Sequence, residues 1–141
     1  MRNDGTYLAQ LLQEQQRPHP MHMRQQYHFM GGPGWINDPN GLVWYKDAYH
    51  FFYQYNPFGL TWGEPCWGHA VSRDLLHWEQ KDTVLYPDGD GTVYSGCGLV
   101  DRRNEWGLGQ DALLFFYTAA GGENQWSFGK PYTQCMAYSV D

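Results

Sequence analysis

The sequence predicts an all-β fold of antiparallel strands, on three observations. From Tyr27 onward, short runs of aromatic and β-branched residues alternate with clusters of Gly, Pro, Asn and Asp, the pattern of strands joined by turns. Those runs recur at close, regular intervals and fall into two groups, roughly 27 to 86 and 92 to 141, each with three or four strands. Propeller blades look like this in a sequence, and a sandwich shares the texture. Helical spacing is confined to the residues before 25.

In chain order, residues 6–16, TYLAQLLQEQQ, carry Tyr7, Leu8, Leu11 and Leu12 at helical spacing behind a cap at Thr6, and Pro18 and Pro20 end the pattern. Residues 1–26 therefore read as an N-terminal extension, a short helix or irregular, ahead of a β domain over 27–141. Strands are expected over 42–45, 48–55, 68–72, 83–85, 93–101, 112–119 and 133–140. Lys46-Asp47 is a tight connection between the first two, Ser72-Arg73-Asp74 turns the chain out of the third, and Gly121-Gly122-Glu123-Asn124 is a loop.

Composition narrows the function classes. At 141 residues the chain is about one domain long. Aromatics make up 18%, with seven Trp and eleven Tyr, against 17% charged, which is not a disordered composition. A net charge of -6 offers no basic surface for a phosphate backbone, so no nucleic-acid partner is expected. An acidic, aromatic and polar chain suits a neutral ligand such as a sugar, whose C–H faces stack on rings and whose hydroxyls bind carboxylates and amides. Cys66, Cys97 and Cys135 are odd in number and widely spaced, which argues against a disulfide framework and a zinc clamp. They read as buried free thiols. The six His show no metal-ligand spacing with a third partner, so neither a metal nor a cofactor is expected. His69 and His77 read as structural hydrogen-bonding residues, and His19 and His22 stand too isolated to count. The first residues lack an apolar signal core, and no run is long enough to span a bilayer. As given, the chain reads as cytoplasmic with no membrane partner, or as secreted if an export signal precedes its first residue.

The stretch GWINDPNGL, Gly34 to Leu42, has two readings. Pro39 fixes its own φ and pushes Asp38 toward extended geometry, while Asn40-Gly41 supplies positive φ, so a plain turn explains it. Alternatively, Asp38 is a presented carboxylate: it follows the exposed backbone of Gly31-Gly32-Pro33-Gly34 and Trp35, and precedes an apolar strand pair with no need of a charge at its mouth. An extended carboxylate held by proline at a strand end is placed like a nucleophile.

Four ordered motifs, WINDPNG at 35–41, FFYQYNP at 51–57, WGHAVSRDLLHW at 67–78 and GTVYSGCGLVD at 91–101, make the chain from about Tyr27 onward resemble glycoside hydrolase family 32. That family contains invertases, levanases and inulinases. The resemblance implies a five-bladed β-propeller, here its first two blades over 27–141, whose central pocket binds a terminal β-fructofuranosyl unit of sucrose, inulin or levan. It also implies retaining hydrolysis with Asp38 as nucleophile. Retention needs one carboxylate to attack the anomeric carbon and a second carboxyl about 5 to 5.5 Å away to serve as acid, then base. By the same resemblance Asn37, Gln54, Trp62, Tyr94 and Ser95 fall on sugar-contacting positions, and Trp35 is a further candidate in the pocket. Each has a plainer reading. Gln54, in an aromatic strand, could simply make a cross-strand hydrogen bond, and Trp35 and Trp62 could be core. Trp62, in a loop beside Gly59 and Gly63, suits the pocket better. Ser95 lacks the strand-to-helix elbow of a hydrolase nucleophile and suits a substrate hydrogen bond.

The sequence departs from the family pattern in places. Cys97 stands where the family often has a small serine-like residue, which reads as packing. The later Arg-Asp-Pro and Glu-Cys motifs, which in the family supply a hydroxyl-holding Asp and the acid/base Glu, do not occur in these 141 residues. A ring of blades of about 40 to 45 residues needs on the order of 200 residues or more. The expectation is thus an N-terminal part of the enzyme, inactive alone, with the rest of the propeller C-terminal to Asp141. The loop YNPFGLTWG favours the levanase and inulinase type over strict invertases. Two rivals stand beside this: a non-catalytic fructose- or fructan-binding module or remnant, and an inverting arabinosyl propeller with carboxyls roughly 6.5 to 9.5 Å apart.

Overall fold

A computed structural model describes residue 25 and residues 27–141; the expected helix over 6–16 lies outside the described residues. The all-β expectation holds among them. Seven strands follow in order: β1 (Trp35–Tyr45), β2 (Ala48–Asn56), β3 (Cys66–Ser72), β4 (Glu79–Leu85), β5 (Thr92–Asp101), β6 (Ala112–Ala120) and β7 (Thr133–Ser139). They form two antiparallel meanders, β1-β2-β3-β4 and β5-β6-β7, each pairing neighbours in chain order. No helix of the described residues is long and apolar enough to cross a membrane.

The two sheets meet face to face, with β1 lying against β5. This packing covers one face of the middle strands AYHFFYQYN and ALLFFYTAA, and no residue of either strand is fully exposed on the other, which is why they read as near-continuous apolar runs. Between the sheets, Val43, Tyr45, Phe52 and Trp67 meet Val93, Leu113 and Phe115. Phe115 sits edge-on to Phe52 at 4.7 Å and to Trp67 at 6.1 Å, and burying such a ring contributes roughly 1.5–3 kcal/mol. With a period of two, the alternate residues Phe51, Tyr53 and Tyr55 face the other way, where Phe29 and Trp78 pack on them. Tyr55 donates its hydroxyl to the Pro33 carbonyl at 2.7 Å, so the segment before β1 lies across that outer face.

At the seam the backbones approach closely. A Cβ on Gly98 would stand 2.8 Å from Phe115 and 3.2 Å from the Gly41 Cα, so glycine is required there for the sheets to dock. The turns follow the sequence reading. Lys46 and Asp47 both take positive φ, 46° and 60°, as a two-residue hairpin demands. Ser72 Oγ accepts the Leu75 amide at 2.9 Å and the Asp74 amide at 3.2 Å, while Asp74 Oδ1 accepts those of Leu76 and His77. Those donors, His77 foremost, hold the Asp74 carboxyl far below the usual carboxylate range.

Three expectations are corrected. Strand β1 starts at Trp35 rather than Leu42, because the Asp38-Pro39 and Asn40-Gly41 region is absorbed by register shifts between Ile36 and Pro39 and between Asn40 and Val43 rather than by a turn. A bulge tolerates a proline that cannot donate to the ladder. Strand β4 also starts earlier, at Glu79, since an exposed sheet edge carries polar residues that mask the strand pattern. Of the cysteines expected to be buried, only Cys66 is; Cys97 is exposed and Cys135 half-buried, on strands whose side chains alternate toward solvent.

Candidate active site

The start of β1, the start of β5 and the loop after β2 come together at one end of the seam. The β1 irregularity projects the Asp38 side chain into solvent instead of the ladder. There its Oδ2 accepts a hydrogen bond of 2.7 Å from Ser95 Oγ, so the carboxylate comes from one sheet and its donor from the other. Among the described residues no hydrogen bond to local backbone, of the kind a plain turn would make, holds either side chain. One carboxylate oxygen is thus fixed by a neutral donor, and the other has no hydrogen-bond donor among the described residues.

Asn40 ties the sheets together beneath this pair. It is 3% exposed, and its Oδ1 accepts the Gly96 amide at 3.1 Å. Its Nδ2 has no hydrogen-bond partner among the described residues. Gln54, 4% exposed, donates Nε2 to the Val93 carbonyl at 3.0 Å, a bond to the other sheet rather than to a neighbouring strand, which commits one end of the amide. Trp67 adds a third tie, donating Nε1 to the Tyr94 carbonyl at 3.1 Å. Sequence reasoning missed Asn40 and Trp67 as inter-sheet clamps. Asn40 read as a turn residue and Trp67 only as the first residue of the motif WGHAVSRDLLHW, and nothing local marks a side chain that bonds another sheet.

The remaining candidates flank the pair. Trp35 is half-buried, and its amide donates to the Gly59 carbonyl at 2.8 Å, docking the 57–65 loop against the start of β1. Asn56 shapes that loop by donating to Thr61 O and accepting from the Phe58 amide. Trp62 projects from it, 53% exposed. Asn37 is exposed beside Asp38, and no hydrogen bond joins Asn37 or Trp62 to Asp38 among the described residues. Tyr94 is half-buried and packs edge-on to Tyr132 at 5.9 Å. Tyr132 in turn donates its hydroxyl to Glu123 at 2.7 Å, and that hydrogen bond, with Tyr94 beside it, pushes the phenol well above its ordinary value. Sequence reading left Glu123 in a loop and did not single out Tyr132. Among the described residues, no three His, Cys, Asp or Glu side chains converge as a metal site. His69 and His77 take hydrogen-bonding positions, on His50 and Asp74 respectively.

Face-to-face antiparallel meanders with an exposed carboxylate at the mouth of their seam define a class: blades of a β-propeller with an acidic site near the inner-strand ends. The chain belongs to glycosyl hydrolases family 32, whose N-terminal domain matches residues 28–141. It is 46% identical over 121 residues to a levanase of Bacillus subtilis, an alignment covering 84% of this chain and 17% of that enzyme. The crystal structure of an exo-inulinase from Aspergillus awamori superposes with a TM-score of 0.74 at 39% identity, over 84% of this chain and 26% of that one. A β-fructofuranosidase from Schwanniomyces occidentalis, complexed with fructosyl-erythritol, gives 0.73 at 34% identity over 84% of this chain and 24% of that one. The chain thus spans less than a fifth of the length of the curated relatives it matches.

Proposed function

We propose that this chain supplies the nucleophile side of a retaining fructosidase acting on terminal β-fructofuranosyl linkages of fructan or sucrose. The observation that carries this reading is the exposed Asp38 carboxylate held across the seam by Ser95 at 2.7 Å. In the first step a carboxylate oxygen bonds to C2 of the fructosyl unit as the C2–O bond to the leaving alcohol breaks, with a general acid protonating the departing oxygen. Water then attacks C2, gives its proton to the same group, and frees Asp38. Ser95 fixes Oδ2 and leaves the other oxygen to react. Gln54, its Nε2 committed to Val93, contributes through Oε1. Asn37 and Tyr94 bind hydroxyls, and Trp35 and Trp62 offer aromatic faces. The fructosyl ligand of the Schwanniomyces occidentalis enzyme supports the substrate class.

The acid of the first step belongs to a Glu-Cys segment that these 141 residues do not contain. The chain alone is therefore expected to release no fructose from sucrose, inulin or levan, since the alcohol would depart unprotonated. Fusing it in frame to the remainder of the levanase, beyond the matched segment, should restore turnover. In that chimera Asp38→Asn should lower kcat by more than about a thousandfold. A loss within tenfold would refute the role of Asp38. No turnover in a folded chimera, with fructose affinity unchanged by Asp38→Asn, would favour a binding module.

A further inference from the structure

The serine that holds Asp38 stands on backbone with little support from its own sheet. Strand β5 is an edge strand, so β6 is its one ladder partner. Between Val93, opposite Ala119, and Gly96, opposite Tyr117, the register shifts, and Tyr94 and Ser95 together face the single residue Thr118. Glycines stand at 91, 96 and 98 around this bulge, and glycine-rich strands specify their register weakly. A slip of one residue against β6 would turn Ser95 to the opposite face.

The other sheet supplies what β6 does not. Three of its side chains, each from a different strand, bond backbone atoms of residues 93–96. From β2, Gln54 Nε2 donates to the Val93 carbonyl at 3.0 Å; from β3, Trp67 Nε1 donates to the Tyr94 carbonyl at 3.1 Å; from β1, Asn40 Oδ1 accepts the Gly96 amide at 3.1 Å. All three side chains are buried, so breaking one of these bonds leaves a buried polar group unpaired. The Trp67 and Asn40 bonds bracket Ser95. Two peptide planes meet at its Cα, and one is anchored through the Tyr94 carbonyl, the other through the Gly96 amide. With both planes held, φ and ψ of Ser95 are set, and with them the direction of its Cα–Cβ bond. Asn40 lies two residues beyond Asp38 on the same strand, so the acid and one of the clamps on its serine share a backbone.

We infer that Trp67 and Asn40 are positioning residues for the reaction at Asp38, acting through Ser95. They hold the bulge in the one register that brings Ser95 Oγ to Asp38 Oδ2 at 2.7 Å. Both are buried and do not reach the sugar themselves. Gln54 shares the grip, but its Oε1 is assigned to the sugar, so it does not discriminate between the two roles. The inference rests on the fructosidase reading of Asp38. Misplacing a group at a reacting centre by 1 Å costs up to about a hundredfold in rate, and a misplaced supporting serine is expected to cost about tenfold.

The test is a double-mutant cycle in the levanase chimera with sucrose as substrate. Trp67→Phe keeps an aromatic ring in the core and removes the indole N–H, while Asn40→Ala removes the acceptor. Each should lower kcat about tenfold, as expected for Ser95→Ala, with KM within about twofold. In the Ser95→Ala background the same substitutions should change kcat by less than about twofold, because the group they position is gone. A further tenfold loss in that background, an unchanged kcat in either folded variant, or a raised KM at unchanged kcat would overturn the inference. Each of those results leaves the role of Asp38 standing. A chimera that stays active as Asp38→Asn would instead take both down. Urea midpoints report whether the variants fold. Where one does not, hydrogen exchange in the wild-type chain decides. The Trp67 indole and Gly96 amide protons should exchange as slowly as the Leu114 and Phe115 amides of the core, and exchange more than about a hundredfold faster at either would show a clamp that opens in the folded protein and would overturn the inference.

Discussion

Acidification is expected to weaken the seam through His69. This residue sits half-buried on β3, with its ring stacked on Phe52 at 4.5 Å and 10° and on His50 at 5.2 Å, and its Nε2 lies 3.1 Å from His50 Nδ1. Burial pushes its pKa from 6.5 down to about 4, with the neighbouring His50 and the cross-strand Lys81 adding to the effect. Burial also lowers the His50 pKa, opposed by a hydrogen bond to the Tyr45 backbone and reinforced by Lys46 and Lys81. The folded ring therefore refuses a proton that the unfolded chain accepts. Stability is complete above the unfolded pKa of about 6.5 and is lost as the pH falls toward 4. A shift of that size corresponds to about 3 kcal/mol at most, and solvent screening of a half-buried ring reduces the expectation to about 1–2 kcal/mol. The assay is urea unfolding of the wild type and of His69→Gln at pH 7 and pH 4.5. Taking the difference between the two proteins cancels the carboxylates that titrate in both. The wild type should lose about 1–2 kcal/mol more than the variant over that interval. Parallel pH profiles would refute the assignment of this dependence to His69.

Three further outcomes follow from the same geometry. Gly98→Ala places a methyl 2.8 Å from the Phe115 ring and should cost about 1–3 kcal/mol, read as a lower urea midpoint with unchanged slope. Asn124→Ala removes a buried amide whose Oδ1 accepts the Trp126 and Ser127 amides and whose Nδ2 reaches Asp88 O and Thr92 Oγ1. A loss of about 1–3 kcal/mol is expected, with faster hydrogen exchange at Trp126 and Ser127. Ser95→Ala, at an exposed position, should leave stability within about 0.5 kcal/mol while lowering kcat of the chimera at least about tenfold.

Strand identity was legible because the middle strands of each sheet are apolar on both faces and the connections carry turn residues with the φ values those turns require. All seven expected strands form, and the break between the two sequence groups is the break between sheets. The edge strand β4 was underestimated because Glu79, Lys81 and Asp82 face water. The motifs brought Asp38 and Ser95 into view, and the structure joins them. What no local pattern discloses is contact between sheets: Asn40 to Gly96, Trp67 to Tyr94, and Gly98 against Gly41 are separated by dozens of residues. The exposure of Cys97 was hidden for a similar reason, since a strand texture does not say which of its faces a neighbouring sheet covers.

The irregularity of β1 has a consequence for the length of the stretch from Trp35 to Gly41. Side chains on a strand alternate, and here the alternation is reset twice before Val43 rejoins the regular ladder opposite His50. Removing or adding one residue between these anchors would send the carboxylate to the opposite face, away from Ser95, even if every remaining side chain were kept. The tract should accordingly accept substitutions on its solvent side far more readily than any change in its number of residues.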